Sequence, residues 1–172
     1  MVLGAVAATV LQILSAAEPR AEAPRPEPAA ALASLEAEQS ELFARVAPSV
    51  VLLVSEGTSG SGFVVSGDGL VLTNAHVVGD ADEVAVQLLD GRYGRGRVVA
   101  RASGSLDLAL VRIPFADLQP LEAGEPDAAR AGAFAATVGH GGGAAWTFST
   151  GLVANPRPLG GRGGPVARAM IR

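Results

Sequence analysis

The apolar positions of this chain change period at Pro48. Before it, residues 31 to 47, ALASLEAEQSELFARVA, place Leu32, Leu35, Leu42, Phe43 and Val46 at mostly three- and four-residue spacings among acidic residues. That is the pattern of an amphipathic helix, which the proline then ends. After it the apolar residues come in short, valine-rich runs: SVVLLVSE (49–56), SGFVVSGDGLVLTNAHVV (61–78), EVAVQLLDGRYGRGRVVARA (83–102) and LALVRIP (108–114). Runs of this length and branching predict strands. Asp68-Gly69 and Asp90-Gly91 interrupt two of them and suit two-residue hairpin turns, because Asp and Gly tolerate the positive φ such turns need. Short strands joined by hairpins, with no helix between them, predict an all-β antiparallel barrel or sandwich and argue against a parallel α/β sheet.

Residues 115 to 132, FADLQPLEAGEPDAARAG, lose the alternation, gather Pro, Gly and acid, and read as a connector. A second β region follows in AFAATVGHGGGAAWTFSTGLVANPRP (133–158), where two strand-like runs flank the Gly-rich turn GHGGG. The chain then passes through LGGRGGPVARAMIR. At the other end, MVLGAVAATVLQILSAA (1–17) is apolar, is uncharged apart from the terminal amine, and ends in small residues ahead of Glu18. It reads as a signal peptide or membrane anchor. Residues 18 to 30, beginning EPRAEAPRPEP, are too rich in proline and charge to build a core and read as an extended linker. A hydrophobic segment, a tether and then a domain is the order of an exported protein, so the expected location is extracytoplasmic: periplasmic, secreted or membrane-anchored.

Composition narrows the function classes. The 172 residues are 49% apolar, enough to bury a core, and 22 glycines with only 4% aromatics favour many short turns over a helical bundle. The net charge is −4, and the 13 basic residues are all arginines scattered along the chain, which argues against nucleic acid as a partner. There is no cysteine, so disulfides and cysteine-based catalysis are out. With two isolated histidines a transition-metal cluster lacks ligands, and no metal or other cofactor is expected.

A histidine base must therefore be His76 or His140. A nucleophilic hydroxyl needs a base to take its proton, and an imidazole suits this because it titrates near neutrality. Such a base in turn needs a buried carboxylate to fix its tautomer. Asp107 is the candidate, since in SGSLDLALVRI it stands at the head of an apolar strand, where an unpaired acid would be costly to bury. Each signal alone is weak, because a histidine at a strand end is commonly structural and an aspartate at a strand start is commonly a turn residue.

Taken together, GSGFVVSGDGLVLTNAHVV and the following VQLLDGRYGRGRVVARASGSLDLALVRI closely resemble the protease domain of the HtrA/DegP-like, trypsin-fold serine endopeptidases. In that family a Gly-Ser-Gly-Phe strand leads through a hairpin to Thr-Asn-Ala-His, whose histidine is the general base. An Asp-Leu-Ala-aliphatic segment about thirty residues later carries the aspartate that orients it. Here the two positions are 31 residues apart. The resemblance thus gives His76 the role of base and Asp107 that of orienting acid. TVGHGGGAAWTFSTGLVA resembles the family's Gly-rich loop and the next strand of its second barrel, which makes His140 a loop residue. The likeness covers roughly residues 46 to 155.

The resemblance implies a trypsin-like double β-barrel, the first complete and the second only partly present. The implied layout is 1–17 leader or anchor, 18–30 linker, 31–118 helix and first barrel, and 119–172 connector and incomplete second barrel. It also implies exposed or unfolded polypeptides as substrates and assembly as a homo-oligomer, a trimer in the family. The third member of the triad is missing. The family's serine sits in Gly-x-Ser-Gly-Gly, and no such segment occurs; Ser61 lies upstream of the histidine in the first barrel and is not the nucleophile. GGRGGP (160–165) has Arg162 where a serine would stand, but it follows Gly151 by only eleven residues, and reads as a hairpin loop. The expectation is a serine endopeptidase that hydrolyses peptide bonds in its full form, with these 172 residues an inactive fragment. The alternative is a non-catalytic trypsin-fold binding or chaperone-like module.

Overall fold

The structure, a computed structural model, describes residues 27–103, 106–124, 130–141 and 144–154. The expected leader, nearly all of the linker, and the GGRGGP and AMIR segments lie outside them. Among the described residues no helix is long and apolar enough to cross a membrane. Contacts divide the chain into Met1–Ala37 and Glu38–Arg172. Helix α1 (Pro28–Val46) begins in the first unit and ends in the second, three residues earlier at its start than the spacing predicts. A single 3₁₀ turn, Ala47–Ser49, follows it.

Six antiparallel strands then close into a barrel: β1 (Val50–Ser55), β2 (Thr58–Ser66), β3 (Leu70–Thr73), β4 (Glu83–Gln87), β5 (Tyr93–Arg101) and β6 (Ala109–Arg112). Their order around the barrel is β1-β2-β3-β6-β5-β4, and the β1–β4 pairing completes the ring. Closure removes the exposed sheet edge that an open meander would leave. Alternate residues point inward, and the inner set is nearly all valine: Val51, Val64, Val71, Val84, Val86 and Val111, with Leu53, are at most 2% exposed. Each such side chain contributes about 1.5–3 kcal/mol of burial. Two glycines on the same inner face make the packing possible. A Cβ on Gly62 would lie 2.7 Å from Val71 Cγ1, and one on Gly96 would lie 2.6 Å from Val111 Cγ1. In a barrel this narrow, small residues must face large ones. The glycine content is thus partly a matter of core volume and not of turns alone.

Both hairpins expected from Asp-Gly form, but with loops longer than two residues: three between Ser66 and Leu70, and five between Gln87 and Tyr93. Gly69 and Gly91 have φ of +96° and +88°, whereas neither Asp68 nor Asp90 has positive φ. A two-residue turn of the expected kind needs positive φ at both positions. Here the Gly69 N–H returns to the Ser66 carbonyl and the Gly91 N–H to the Leu88 carbonyl, so the positive φ falls on glycine alone. The aspartates serve differently. Asp90 accepts from the Arg92 backbone and side chain, and Asp68 pairs with Arg112 across the barrel.

The connector packs on the barrel. The Leu118 and Leu121 N–H groups donate to the Gly67 and Val64 carbonyls, and Leu118 is buried. Beyond it β7 (Phe134–Gly141) and β8 (Ala144–Leu152) form an antiparallel hairpin, which among the described residues is a separate two-stranded sheet.

The two turn glycines differ in one respect that can be measured. A Cβ at Gly69 would lie 2.5 Å from the Ile113 carbonyl oxygen and 2.8 Å from that of Phe115, while one at Gly91 meets nothing within 4 Å. Gly91→Ala should cost only the left-handed strain of about 1–2 kcal/mol. Gly69→Ala should cost that plus a backbone clash, about 3 kcal/mol or more in all. Urea unfolding of the two variants checks the ranking.

Candidate active site

The apolar run that carries His76 does not stay a strand. It leaves β3 at Thr73 and turns into a single helical turn, α2 (Ala75–Val78). Val77 and Val78 are both buried, at 4% and 0% exposed. A strand would have turned one of these neighbours to solvent. Glycine at position 60 leaves the room: a Cβ there would lie 2.5 Å from Val77 Cγ2. The turn is tied at both ends. Thr73 Oγ1 donates to the Ser61 carbonyl at 2.8 Å, and Ser55 Oγ donates to the Val78 carbonyl at 3.2 Å. Arg101 reaches across with Nε on the Gly79 carbonyl and Nη2 on that of Ala81, at 2.9 and 2.5 Å.

Asp107 lies in the loop that enters β6. Because β3 and β6 are antiparallel neighbours and their last pair is Thr73↔Ala109, the residues just after one and just before the other lie side by side. The 31-residue spacing is closed by that register. The Asp107 carboxylate takes hold of His76 twice: Oδ1 accepts the His76 backbone N–H at 2.9 Å, and Oδ2 lies 2.5 Å from Nδ1 of the ring. Asn74 adds a third tie, its Nδ2 donating to the Asp107 carbonyl at 2.8 Å. Asn74 occupies the N-cap position of α2 without capping it through its side chain. The Asp107 carboxylate supplies that service from the loop ahead of β6, accepting an orphan N–H of the first turn.

Because Oδ2 can only accept, the neutral ring carries its proton on Nδ1 and leaves Nε2 as the basic nitrogen. Nε2 has no partner among the described residues. The carboxyl of Asp107 is held below the usual carboxylate range, chiefly by the His76 backbone N–H and then by the His76 ring. Sequence reasoning expects this carboxylate to be buried, and it is not. The Asp107 side chain is 48% exposed and that of His76 66%. Asp107 sits on the rim, two residues before its strand begins, so the barrel covers only one side of it. The arrangement is a fixed imidazole with an open, unpaired Nε2, suited to taking a proton from a group brought to it.

His140 is not a loop residue. β7 continues through Gly141, and the His140 backbone N–H donates to Ser61 Oγ at 2.7 Å. The structure does not bring it to His76 and Asp107 as part of the pair. Two supporting residues escape sequence reasoning. Asn74 had a signal, as a polar residue breaking an apolar run. Arg101 had none, because its carbonyl partners lie 20 and 22 residues away across the barrel.

The model of the trypsin-like peptidase domain family matches residues 60–171. Among curated proteins, the chain is 36% identical over 96 residues to a probable periplasmic serine endoprotease, DegP-like, of Hahella chejuensis, covering 56% of this chain and 20% of that protein. It is 38% identical over 98 residues to the putative serine protease HhoB of Synechocystis, covering 57% and 23%. The chain thus spans about a fifth of the length of the curated relatives it matches. Among solved structures, the HtrA-type protease AlgW with tripeptide superposes with a TM-score of 0.65 at 30% identity, covering 68% of this chain and 40% of that one.

The depressed Asp107 carboxyl sets a pH dependence. The folded chain binds this proton less readily than the unfolded chain, so the stabilisation is present above about pH 4 and fades as the pH falls below it. The stability difference between wild type and Asp107→Asn should be constant above about pH 5 and shrink through that acid window. Urea midpoints measured from pH 3 to pH 7 test it.

Proposed function

Since the chain belongs to the family of trypsin-like peptidase domains, we propose that it supplies the general base and its orienting acid to a serine endopeptidase of the HtrA/DegP type. The observation that carries this reading is the two-point grip of Asp107 on His76, through Oδ1 on the backbone N–H and Oδ2 on Nδ1. A carboxylate that held only the ring would leave it free to pivot about its χ angles. Gripping the backbone as well fixes the ring to the end of β3. In the proposed reaction, a serine hydroxyl approaches His76 Nε2 and gives up its proton as Oγ attacks the scissile carbonyl. His76 then passes the proton to the leaving amine, and Asp107 stabilises the imidazolium that exists between the two transfers. The serine of this scheme is not among the 172 residues, which contain no Gly-x-Ser-Gly-Gly segment.

Exposed or unfolded polypeptides are the substrate class in this reading. Support comes from the AlgW structures, which hold a tripeptide and a decapeptide. An extracytoplasmic location is supported by the DegP-like relatives named as periplasmic, and by the apolar segment at residues 1–17. Assembly as a homo-oligomer, and a membrane tether through that segment, belong to the same reading.

The test is a hybrid in which the residues following the matched stretch of a DegP-like relative, including its nucleophile serine, continue this chain. It should hydrolyse an unfolded protein such as reduced casein. His76→Ala should lower kcat/KM by about 10²–10⁴-fold, and Asp107→Asn should act in the same direction by misassigning the tautomer. Undiminished activity in the His76 variant would remove the base assignment. A folded hybrid that binds casein and never cleaves it would favour the non-catalytic binding module.

A further inference from the structure

The β7–β8 hairpin meets the barrel through a small set of polar contacts centred on one residue. His140 donates its backbone N–H to Ser61 Oγ on β2 at 2.7 Å. Its ring Nδ1 accepts the Trp146 backbone N–H from β8 at 3.2 Å, and the two rings meet edge to face with centroids 4.6 Å apart. Trp146 in turn donates Nε1–H to the Val50 carbonyl on β1 at 3.0 Å. Glycine at position 139 allows the close approach, since a Cβ there would lie 2.9 Å from Ser61 Oγ. Trp146 adopts φ of +49°, a strained conformation for a bulky residue. In that conformation its N–H and its indole N–H reach partners on two different elements.

We propose that His140 is a proton-operated clasp and the positioning residue of the junction: its neutral ring holds the β7–β8 hairpin on the barrel, and its charged ring lets the hairpin go. The chemistry follows from the donors and acceptors. Nδ1 accepts a hydrogen bond, so the ring is the tautomer with its proton on Nε2. A second proton can go only to Nδ1, which then faces the Trp146 N–H donor to donor. Nε2 is buried and makes no well-formed hydrogen bond, and the only polar group that favours the charged ring, the Val51 backbone, does so more weakly than burial opposes it. The groups around the ring are the Val51 backbone from β1, Ser61 from β2 and Trp146 from β8, and none is charged. Among the described residues no ionisable side chain acts on its titration. Burial holds the imidazole below its ordinary value, with the Val51 backbone opposing more weakly.

The sign is fixed by that direction. The docked ring binds a proton less readily than the free one, so docking is intact above about pH 6.5, the ordinary imidazole value. It weakens as the pH falls through the value of the docked ring. The contact also lies on the route to His76. The Ser61 carbonyl accepts from Thr73 Oγ1, three residues ahead of His76. Any effect of undocking on turnover at His76 rests on the proposed function; the clasp itself does not.

The chain has a single tryptophan, so its fluorescence reports the junction directly. In the full 172-residue chain, lowering the pH from 7.5 to 5 should move the Trp146 emission to longer wavelength in one sigmoidal step with its midpoint below 6.5. This window lies above the ordinary carboxylate range of about 4. His140→Asn, whose side-chain oxygen can accept the Trp146 N–H but cannot be protonated, should abolish the step. His76→Asn should leave it in place. A wild-type emission that does not change across this window, or a step of the same midpoint in His140→Asn, would overturn the proposal. If far-UV circular dichroism shows that the asparagine variant does not fold, imidazole NMR titration of the wild type decides. A His140 midpoint coincident with the fluorescence step supports the clasp, and separate midpoints reject it.

Discussion

The candidate site depends on one backbone pairing, the antiparallel register of β3 against β6. Four residue pairs, from Leu70↔Arg112 to Thr73↔Ala109, bring the two strand ends together. The Asp107 and Asn74 contacts that orient His76 are made where those ends diverge. Side chains alternate along strands, so a slip of one residue would turn Val71 and Val111 out of the core and carry Asp107 away from the His76 N–H. The valine core therefore sets the geometry of the candidate site as well as stability. It makes the wrong register expensive, and the right register leaves the carboxylate and the imidazole side by side.

This coupling explains why the acid can sit half exposed and still hold a fixed position. A carboxylate in water is usually mobile, and a surface ion pair contributes little. Asp107 is constrained from three directions: its two oxygens engage the N–H and ring of His76, and its carbonyl receives the Asn74 amide. The α2 turn is fixed just as closely from behind, by Ser55, by Arg101 and by the close packing of Val77 on Gly60. Order here comes from the number of independent tethers and not from exclusion of water.

Much of this was legible in the sequence, and what was not has physical causes. The strands were readable because valine runs broken by Asp-Gly leave few alternatives, and the His76 and Asp107 pair because both flanking segments carry a family's pattern at the family's spacing. The loop type was not readable. Asp-Gly is compatible with two-residue and longer hairpin loops, and the choice is made by where the flanking strands pair. The helical turn at Ala75–Val78 was hidden because an apolar pair such as Val77-Val78 reads equally as strand; what decided it was that both side chains had to be buried at once. Composition counts the inward-facing glycines toward turns, since it does not distinguish a glycine that bends the chain from one that makes room for a valine. The surroundings of His140 were invisible for a similar reason: Ser61 is 79 residues away along the chain.

The two β units of the chain are ordered by different kinds of interaction. The barrel is closed on itself and filled with branched side chains, so its stability is internal. An isolated two-stranded hairpin in water is marginal, and this one keeps Phe134 and Leu152, which face each other across it, 50% and 68% exposed at its far end. Its order is borrowed where it touches the barrel, through the Ser61 and Val50 hydrogen bonds and the edge-to-face contact of Phe148 with Phe43 of α1. Polar contacts are directional, and the Trp146 residue that makes one of them is itself held by the titratable ring of His140, whereas the burial of valine involves no proton. A barrel that carries His76 and Asp107 on a fixed frame, beside a hairpin whose Trp146 is held by a titratable ring, separates what stays constant from what can respond to its surroundings.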